Sequence, residues 1–394
     1  AFLKSILYIT PLWTGIRSFF LESKDEFHGM PAFSSVLLKV LESNSVDQVL
    51  MVFFVKERVE FSLNSKYSNK LKCHQVTYRS NIELFLMMPF IMIWLIYLVL
   101  INNTKVVFGH GAIGAIGGLL SMLTKRKYVQ RIYGSFLIDE INSSEFALFM
   151  RHPLDYLSFK LPSHRTVITN DGTHGDLVFN KLNRDSSRLD FLLNGVNKMD
   201  NFTKLRSTEE RPLITYIARV DKWKRAHLFA EALIRLKKDF SNNFEALIIG
   251  PIINKEYANY IQDLIDRNGL TEQISIVGAV NSIQAKQYLT DSTLTCSFYQ
   301  TSNLGNVFLE SLTLGVPMLA INCNNSLEAI DVSAYEECTE SPAEIAVKMN
   351  LLINDEVKRM KLSDNAKKWA NSNLTSWDER SSIELTIIQN ILHD

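Results

Sequence analysis

Short apolar runs rich in β-branched residues alternate with longer segments of helical periodicity along almost the whole chain. In the first half the strand candidates are SILYIT (5–10), QVLMVFFV (48–55), HQVTYR (74–79), KVVFGH (105–110), YVQRIY (128–133), RTVITN (165–170) and DFLLNGV (190–196). Helices such as PAFSSVLLKVLES (31–43) and IGGLLSMLTK (116–125) fall between them. Strands apolar on both sides and separated by helices predict parallel sheets covered on both faces, the α/β class. The pattern stops once, at the polar stretch NKMDNFTKLRSTEERP (197–212), which reads as an interdomain linker. A second series follows in LITYIAR (213–219), FEALIIG (244–250), QISIVG (273–278), LTCSFY (294–299) and PMLAIN (317–322). Two such arrays in tandem predict two Rossmann-like domains facing a cleft, 1–200 and 211–376.

One segment departs from this alternation. LFLMMPFIMIWLIYLVLI (84–101) is uncharged and long enough to span a bilayer. It stands between two strand candidates of one sheet, and a span there would put parts of that sheet on opposite sides of a membrane. The expectation is therefore a helix of the first domain, either a core helix or one lying on a membrane interface with Trp94 and Tyr97 as anchors.

Composition narrows the partners. With 46% hydrophobic and 21% charged residues in 394, the chain has ample apolar surface for two cores. Lys+Arg 42 against Asp+Glu 42 leaves no global field to draw nucleic acid. The four cysteines, Cys73, Cys296, Cys323 and Cys338, lack the spacing of a zinc site or a disulfide framework, and a reducing cytosol is expected. The opening FLKSILYIT lacks the features of an export signal.

The chemistry-bearing stretch is YQTSNLGNVFLESLTLGVP (299–317), a strand end, a polar turn and a short apolar helix. If Asn306 caps that helix, the amides of Gly305, Asn306 and Val307 make a seat for an anion. Glu310, one turn further in, leans back towards that seat and suits a vicinal diol. It equally suits plain compensation of the helix dipole. In YIARVDKWKRAHLF (216–229), Arg219 follows a strand and Lys224 stands before the next helix. Two cations at the same edge suit a diphosphate, although DKWKR also reads as a solvated basic loop.

ARVDKWK, IIGP, ISIVGAV and NLGNVFLESLTLGVPMLA, in that order, resemble the carboxyl-terminal domain of GT-B glycosyltransferases, in particular the retaining family 4 group. The first half is similar more loosely, through NGV (194–196) and VVFGH ending at His110. TSWDERSSIELTII resembles the terminal helix that crosses back to the first domain, here 377–394. The resemblance implies that Arg219 and Lys224 bind the diphosphate of a nucleotide sugar, that Glu310 holds the ribose, and that the amides of Asn306 and Val307 meet phosphate. It places Gly278 to Val280 along the base, and Gly15, in TPLWTGIRS, in the loop that closes over the phosphates. Ser302 stands where the group has its first glutamate, and Tyr133 where it has a histidine. Tyr133 or Arg131 is then expected to face the sugar, with His110 as the substitute from the adjacent strand.

The activity implied is transfer of a sugar from a nucleotide diphosphate to an acceptor hydroxyl, with retention, and with no metal and no cofactor beyond the nucleotide sugar as co-substrate. The apolar helix, with Lys125, Arg126 and Lys127, points to a lipid-linked acceptor at the inner face of a cell membrane, in surface polysaccharide or lipopolysaccharide assembly. Two other readings stay open: a non-catalytic GT-B subunit binding nucleotide or a partner enzyme, and an epimerase of the same fold.

Overall fold

In the computed structural model, residues 4–13, 30–61, 66–183, 185–197, 202–207 and 210–393 are described. The chain divides into two compact units, Ala1–Gly195 with Trp377–Asp394, and Val196–Ser376. It passes between them at Gly195–Val196 and again at Ser376–Trp377.

The first unit is built on a seven-stranded sheet in the order β3-β2-β1-β4-β5-β6-β7. Its strands are β1 (Ser5–Pro11), β2 (Gln48–Val55), β3 (Leu71–Thr77), β4 (Thr104–His110), β5 (Lys127–Ile132), β6 (Arg165–Asn170) and β7 (Leu189–Leu193). Every pairing is parallel. β1, β2 and β4 are buried almost throughout, as their unbroken apolar runs require. One face of the sheet is covered by α1 (Pro31–Glu42), against which the carboxyl-terminal helix Trp377–His393 packs. The other face carries α2 (Asn81–Ile101), α3 (Gly114–Thr124), α4 (Glu145–Arg151), α5 (Pro153–Lys160) and α6 (Gly175–Leu182).

α2 is a helix of this unit. It starts at Ser80, whose side chain accepts from the Glu83 amide, and Leu84, Ile91, Leu95, Leu98 and Val99 pack in one cluster with Leu7, Ile9, Leu50 and Val52 of the sheet. Of the two expected interfacial anchors, Tyr97 is exposed, whereas Trp94 joins that cluster and meets His74 edge-on with centroids 5.7 Å apart. The indole is too apolar to be left outside when an inward site is available.

The second unit holds a six-stranded sheet in the order β10-β9-β8-β11-β12-β13. These are β8 (Leu213–Ile217), β9 (Glu245–Ile249), β10 (Ile274–Gly278), β11 (Leu294–Ser297), β12 (Met318–Ile321) and β13 (Glu336–Cys338), again all parallel. Helices α7 (Ala226–Phe240), α8 (Lys255–Arg267), α9 (Ser282–Asp291), α10 (Asn306–Leu314), α11 (Pro342–Asn354) and α12 (Glu356–Asn373) cover it. The described part of the stretch 197–212 is fastened to this unit and is no free tether. Arg206 pairs with Glu245 at 2.8 Å, and the Leu205 amide donates to Asp291 at 2.6 Å.

The carboxyl-terminal helix, α13 (Trp377–His393), is joined to the first sheet by a buried ion cluster. Glu384 accepts from Arg131 Nε at 3.1 Å and lies 2.8 Å from an Arg380 terminal nitrogen, with all three side chains under 5% exposed. Arg380 Nε donates to the Leu193 carbonyl, so β5, β7 and α13 meet at one point. Glu384 is the one buried carboxylate that the two guanidinium groups share, and removing it strands both charges in low dielectric. Glu384→Ala is expected to lower unfolding free energy by about 3–5 kcal/mol in urea titration; a change within the range of ordinary surface substitutions would contradict this account.

Candidate active site

In both sheets the order of connection reverses between two central strands, β1 and β4 in the first and β8 and β11 in the second. Loops diverge there at the carboxyl edge and leave a crevice. The predicted donor-site residues of the second unit lie on loops along that edge or on the helix that follows.

The loop after β8 is shaped by a close backbone crossing. Gly250, just past β9, has φ +146°, and a Cβ on it would lie 2.0 Å from the Ala218 carbonyl oxygen. Only glycine fits, and its absent side chain lets the Ala218 amide donate to Ile249 and the Val220 amide to Pro251. Arg219 thereby leaves the sheet with its side chain 59% exposed, held loosely at 3.4 Å from Asp221. The Asp221 carboxylate accepts from the Lys224 amide at 2.9 Å and caps a one-turn 3-10 helix, Lys222–Lys224. The Lys224 ammonium stands 3.9 Å from the centre of the Tyr299 ring, and the Tyr299 hydroxyl donates to the Ile217 carbonyl at 2.7 Å.

Arg225, next along, was hidden in DKWKR. Its backbone is left-handed (φ 50°), which turns the side chain inward, and it is buried. Its guanidinium donates to the carbonyls of Phe298 at 2.7 Å and Tyr299 at 3.1 Å, and pairs with Glu340. The Gln300 amide donates back to the Trp223 carbonyl. The loops after β8 and β11 are thus one fastened body. The sequence signals for this are faint: a basic residue before a helix, and an aromatic one at a strand end.

The second of those loops leads into α10 through Ser302, which is left-handed (φ 58°), the buried Asn303, and Gly305. Gly305 is the cap residue and supplies no side-chain cap, and Asn306 is the first helical residue. The expected capping by Asn306 is corrected accordingly. An extended glycine here (ψ 177°) brings backbone to the helix entrance without a side chain in front of the first-turn amides. Glu310 stands past the first turn, half-buried. Burial holds its carboxyl above the usual range, against the opposing pull of Lys286 on α9. Lys286 was not singled out by the sequence. Gly278 is left-handed (φ +81°) with open space around it, and Val280 packs in one apolar cluster with Val307. The structure therefore brings Arg219, Lys224, Gly278, Val280, Ser302, Gly305, Asn306, Val307 and Glu310 to one end of the second unit.

In the first unit, Gly15 lies outside the described residues. His110 and Tyr133 meet, with the imidazole Nδ1 2.8 Å from the phenol oxygen. His110 is 2% exposed and enclosed by Tyr8, Phe33 and Phe108. Burial, then the nearby Arg131 charge, drives its basicity well below that of a free imidazole, so the ring is neutral at physiological pH. His110 is thus enclosed in the described structure, with Tyr133 as its polar neighbour. Arg131 is corrected too: its side chain is fully buried and engaged with Glu384, with its guanidinium carbon 4.4 Å from the centre of the Tyr133 ring. Tyr133, half-buried, is the one of the three that borders solvent.

With this geometry in view, comparison with known proteins is informative. The family model "Glycosyl transferases group 1" matches residues 197–369. A Campylobacter jejuni protein named GalNAc-alpha-(1->4)-GalNAc-alpha-(1->3)-diNAcBac-PP-undecaprenol alpha-1,4-N-acetyl-D-galactosaminyltransferase is 26% identical over 184 residues, 46% of this chain and 49% of that one. The chain thus spans about half the length of this curated relative. Among solved structures, Anabaena Alr3699/HepE in complex with UDP is similar at TM-score 0.69 and 14% identity, over 98% of this chain and 100% of that one. Sucrose-phosphate synthase from Thermosynechococcus elongatus gives 0.70 at 13% identity, over 99% of both chains. WaaG, a glycosyltransferase involved in lipopolysaccharide biosynthesis, gives 0.65 at 15%, over 97% of this chain and 99% of that one. The fold is GT-B, two parallel α/β units in one chain. The second unit is the part that matches the glycosyl transferases group 1 model.

Two outcomes are expected at this site. Arg225→Lys, which keeps the charge but loses the planar fork, should cost about 2–4 kcal/mol of stability by leaving buried carbonyls unpaired, and should weaken nucleotide binding measured by calorimetry. Glu310 has a raised carboxyl, so its contribution is most favourable below the unfolded carboxylate range and is lost as pH rises through the folded value. Glu310→Gln should therefore melt higher than the native chain at neutral pH, and the gap should close towards pH 4.5 and below, the ordinary value for this group. Equal melting temperatures at neutral pH would show that the carboxylate carries no such burden.

Proposed function

We propose that the protein transfers a sugar from a nucleoside diphosphate sugar to a hydroxyl of a lipid-linked saccharide, with retention of anomeric configuration and without a metal, in bacterial surface glycan assembly. The observation that carries the reading is the fastened pair of loops after β8 and β11, which holds Lys224 against Tyr299 and presents Arg219 at the sheet edge from which α10 and Glu310 start.

Departure of a diphosphate concentrates negative charge on its oxygens. Arg219, Lys224 and the positive end of α10 supply compensating charge at this edge, which is the work a divalent ion would otherwise do. Glu310 suits the ribose hydroxyls, since a carboxylate accepts from two adjacent O–H donors. Its raised proton affinity falls back when a diol occupies it, because donated hydrogen bonds favour the charged form. Val280 with Val307 offers the apolar surface on which a base can lie. Retention follows if the acceptor hydroxyl attacks from the face the diphosphate leaves, passing its proton to a departing phosphate oxygen as the new glycosidic bond forms. No protein base is then required. Tyr133 is the candidate to hydrogen-bond the sugar from the first unit.

The acceptor class is supported by the curated relative, whose name specifies an undecaprenol diphosphate glycan and an alpha linkage. The neighbour bound to UDP makes UDP the first nucleotide to test. Calorimetric titration with UDP, GDP and ADP should show one of them binding in the micromolar range, and Arg219→Ala should reduce that affinity by about tenfold or more, the worth of a charge-assisted contact. Binding of none of the three would remove the transferase reading and leave a non-catalytic GT-B subunit as the better account.

A further inference from the structure

The two faces of the first sheet are covered by helices of different character. On one, the exposed positions of α13 are mostly polar, among them Asp378, Glu379, Thr386 and Asn390. On the other, α2 turns Ile82, Phe85, Leu86, Phe90, Ile93, Tyr97, Leu100 and Ile101 outward, each more than half exposed. Their spacing follows successive helical turns, so they form one apolar stripe along a helix about 30 Å long. α2 packs on α3, α3 on α5 and α5 on α4, and the stripe has company along this layer. Met122 and Leu123 end α3 at 55% and 65% exposure, and Phe146 and Met150 of α4 stand at 73% and 62%. So many exposed apolar side chains on one helical layer of a folded unit mark a docking face.

We propose that this helical layer seats the protein on an anionic lipid bilayer, with α2 lying in the plane of the membrane interface. The helix is long and apolar enough to cross a membrane. It does not span, because Leu84, Ile91, Leu95, Leu98 and Val99 are the cover of β1 and β2, and withdrawing them would bare that sheet face. Lipid fits better than a second copy of the chain. Interfaces between proteins mix an apolar centre with a polar rim, whereas past Glu83 the stripe carries no charged side chain for the rest of its length. Cations gather at the end of the layer where α2 and α3 finish: Lys105 just beyond α2, and Lys125 and Arg126 beyond α3. They complement the phosphates of an anionic surface next to the apolar stripe. The proposal stands on the first unit alone and is independent of the donor site.

The test is flotation of the full chain with vesicles of phosphatidylcholine alone and of phosphatidylcholine mixed with phosphatidylglycerol. The chain should float with the mixed vesicles and leave them on an alkaline carbonate wash. Phe85→Ser, Phe90→Ser and Ile93→Ser combined should reduce partitioning by about tenfold or more, each removing exposed apolar area. Lys125→Ser with Arg126→Ser should reduce it about tenfold on mixed vesicles only. Phe85, Phe90, Ile93 and Lys125 are exposed and Arg126 is half-buried, and an unchanged thermal melt of each variant confirms that folding is intact. Failure to float with either vesicle, or unaltered flotation of the triple variant, overturns the proposal. Retention after the wash overturns the in-plane arrangement in favour of a span. A lipid-free dimer that the triple variant dissolves, with no vesicle binding, assigns the face to a second copy.

Discussion

Parallel strands cannot be closed by hairpins. Each must return across a face of its sheet through a helix, and this obliges every loop that leaves a strand's carboxyl end to lie on one edge. The consequence in the second unit is that residues far apart in sequence, Arg219, Gly278, Ser302 and Glu310, share an edge before any side chain makes a contact. Right-handed crossover sets the address, and the side chains then fix the geometry. Gly250 allows the backbone after β9 to press against Ala218, and Arg225 ties the two central loops by their carbonyls. A guanidinium bonded to main-chain oxygens holds backbone directly, so the loops keep their spacing whatever their exposed side chains do.

The two units use buried arginine differently. Arg225 meets carbonyls and a carboxylate, Glu340, that is itself largely exposed, and its charge is shared with solvent. Arg131 and Arg380 are both buried around one buried Glu384. That cluster carries net positive charge in a low-dielectric setting; the Arg131 charge adds to burial in keeping His110 neutral, whereas the Tyr133 hydroxyl is raised by burial against the opposing pull of Arg131 and Arg380. The cost is offset by what the cluster joins: the end of β5, the end of β7 and the carboxyl-terminal helix beside the two chain crossings. What the cluster joins is α13 to β5 and β7, by contacts that demand a particular geometry from each partner.

Much of this was legible before any coordinates. The strands of both sheets that are buried on two faces announced themselves as unbroken apolar runs, and β8 with its loop was readable to within two residues. β13 was not: Glu-Glu-Cys at a sheet edge has neither alternation nor an apolar run, and only pairing with β12 makes it a strand. Periodicity also cannot say which side of a helix is inside when both sides are apolar, which is why the sequence leaves Trp94 open between core and interface. The capping residue of α10 was misassigned by one position because glycine caps through its absence of side chain and leaves no mark in a pattern of polar groups. Arg225 was missed for a similar reason. A buried cation in a run of exposed ones differs from them only in backbone conformation, and the left-handed turn at φ 50° has no signature in composition.

The apolar layer bears on how a lipid-borne acceptor would be met. α2 begins just after β3 ends, and Phe136, Phe146 and Met150 belong to the connection that leaves β5 through Tyr133. Both segments depart from the same edge of the first sheet, so one end of the apolar surface adjoins the edge where Tyr133 stands. A chain seated on lipid by this layer would keep that edge close to the headgroup plane, and a saccharide carried on a lipid diphosphate projects from that plane by only a few sugar lengths. Restricting the search to two dimensions raises the effective concentration of such an acceptor without any added contact to it. Among the described residues at that edge, His110 is neutral and turned inward, Arg131 is committed to Glu384, and Tyr133 is the half-buried one of the three.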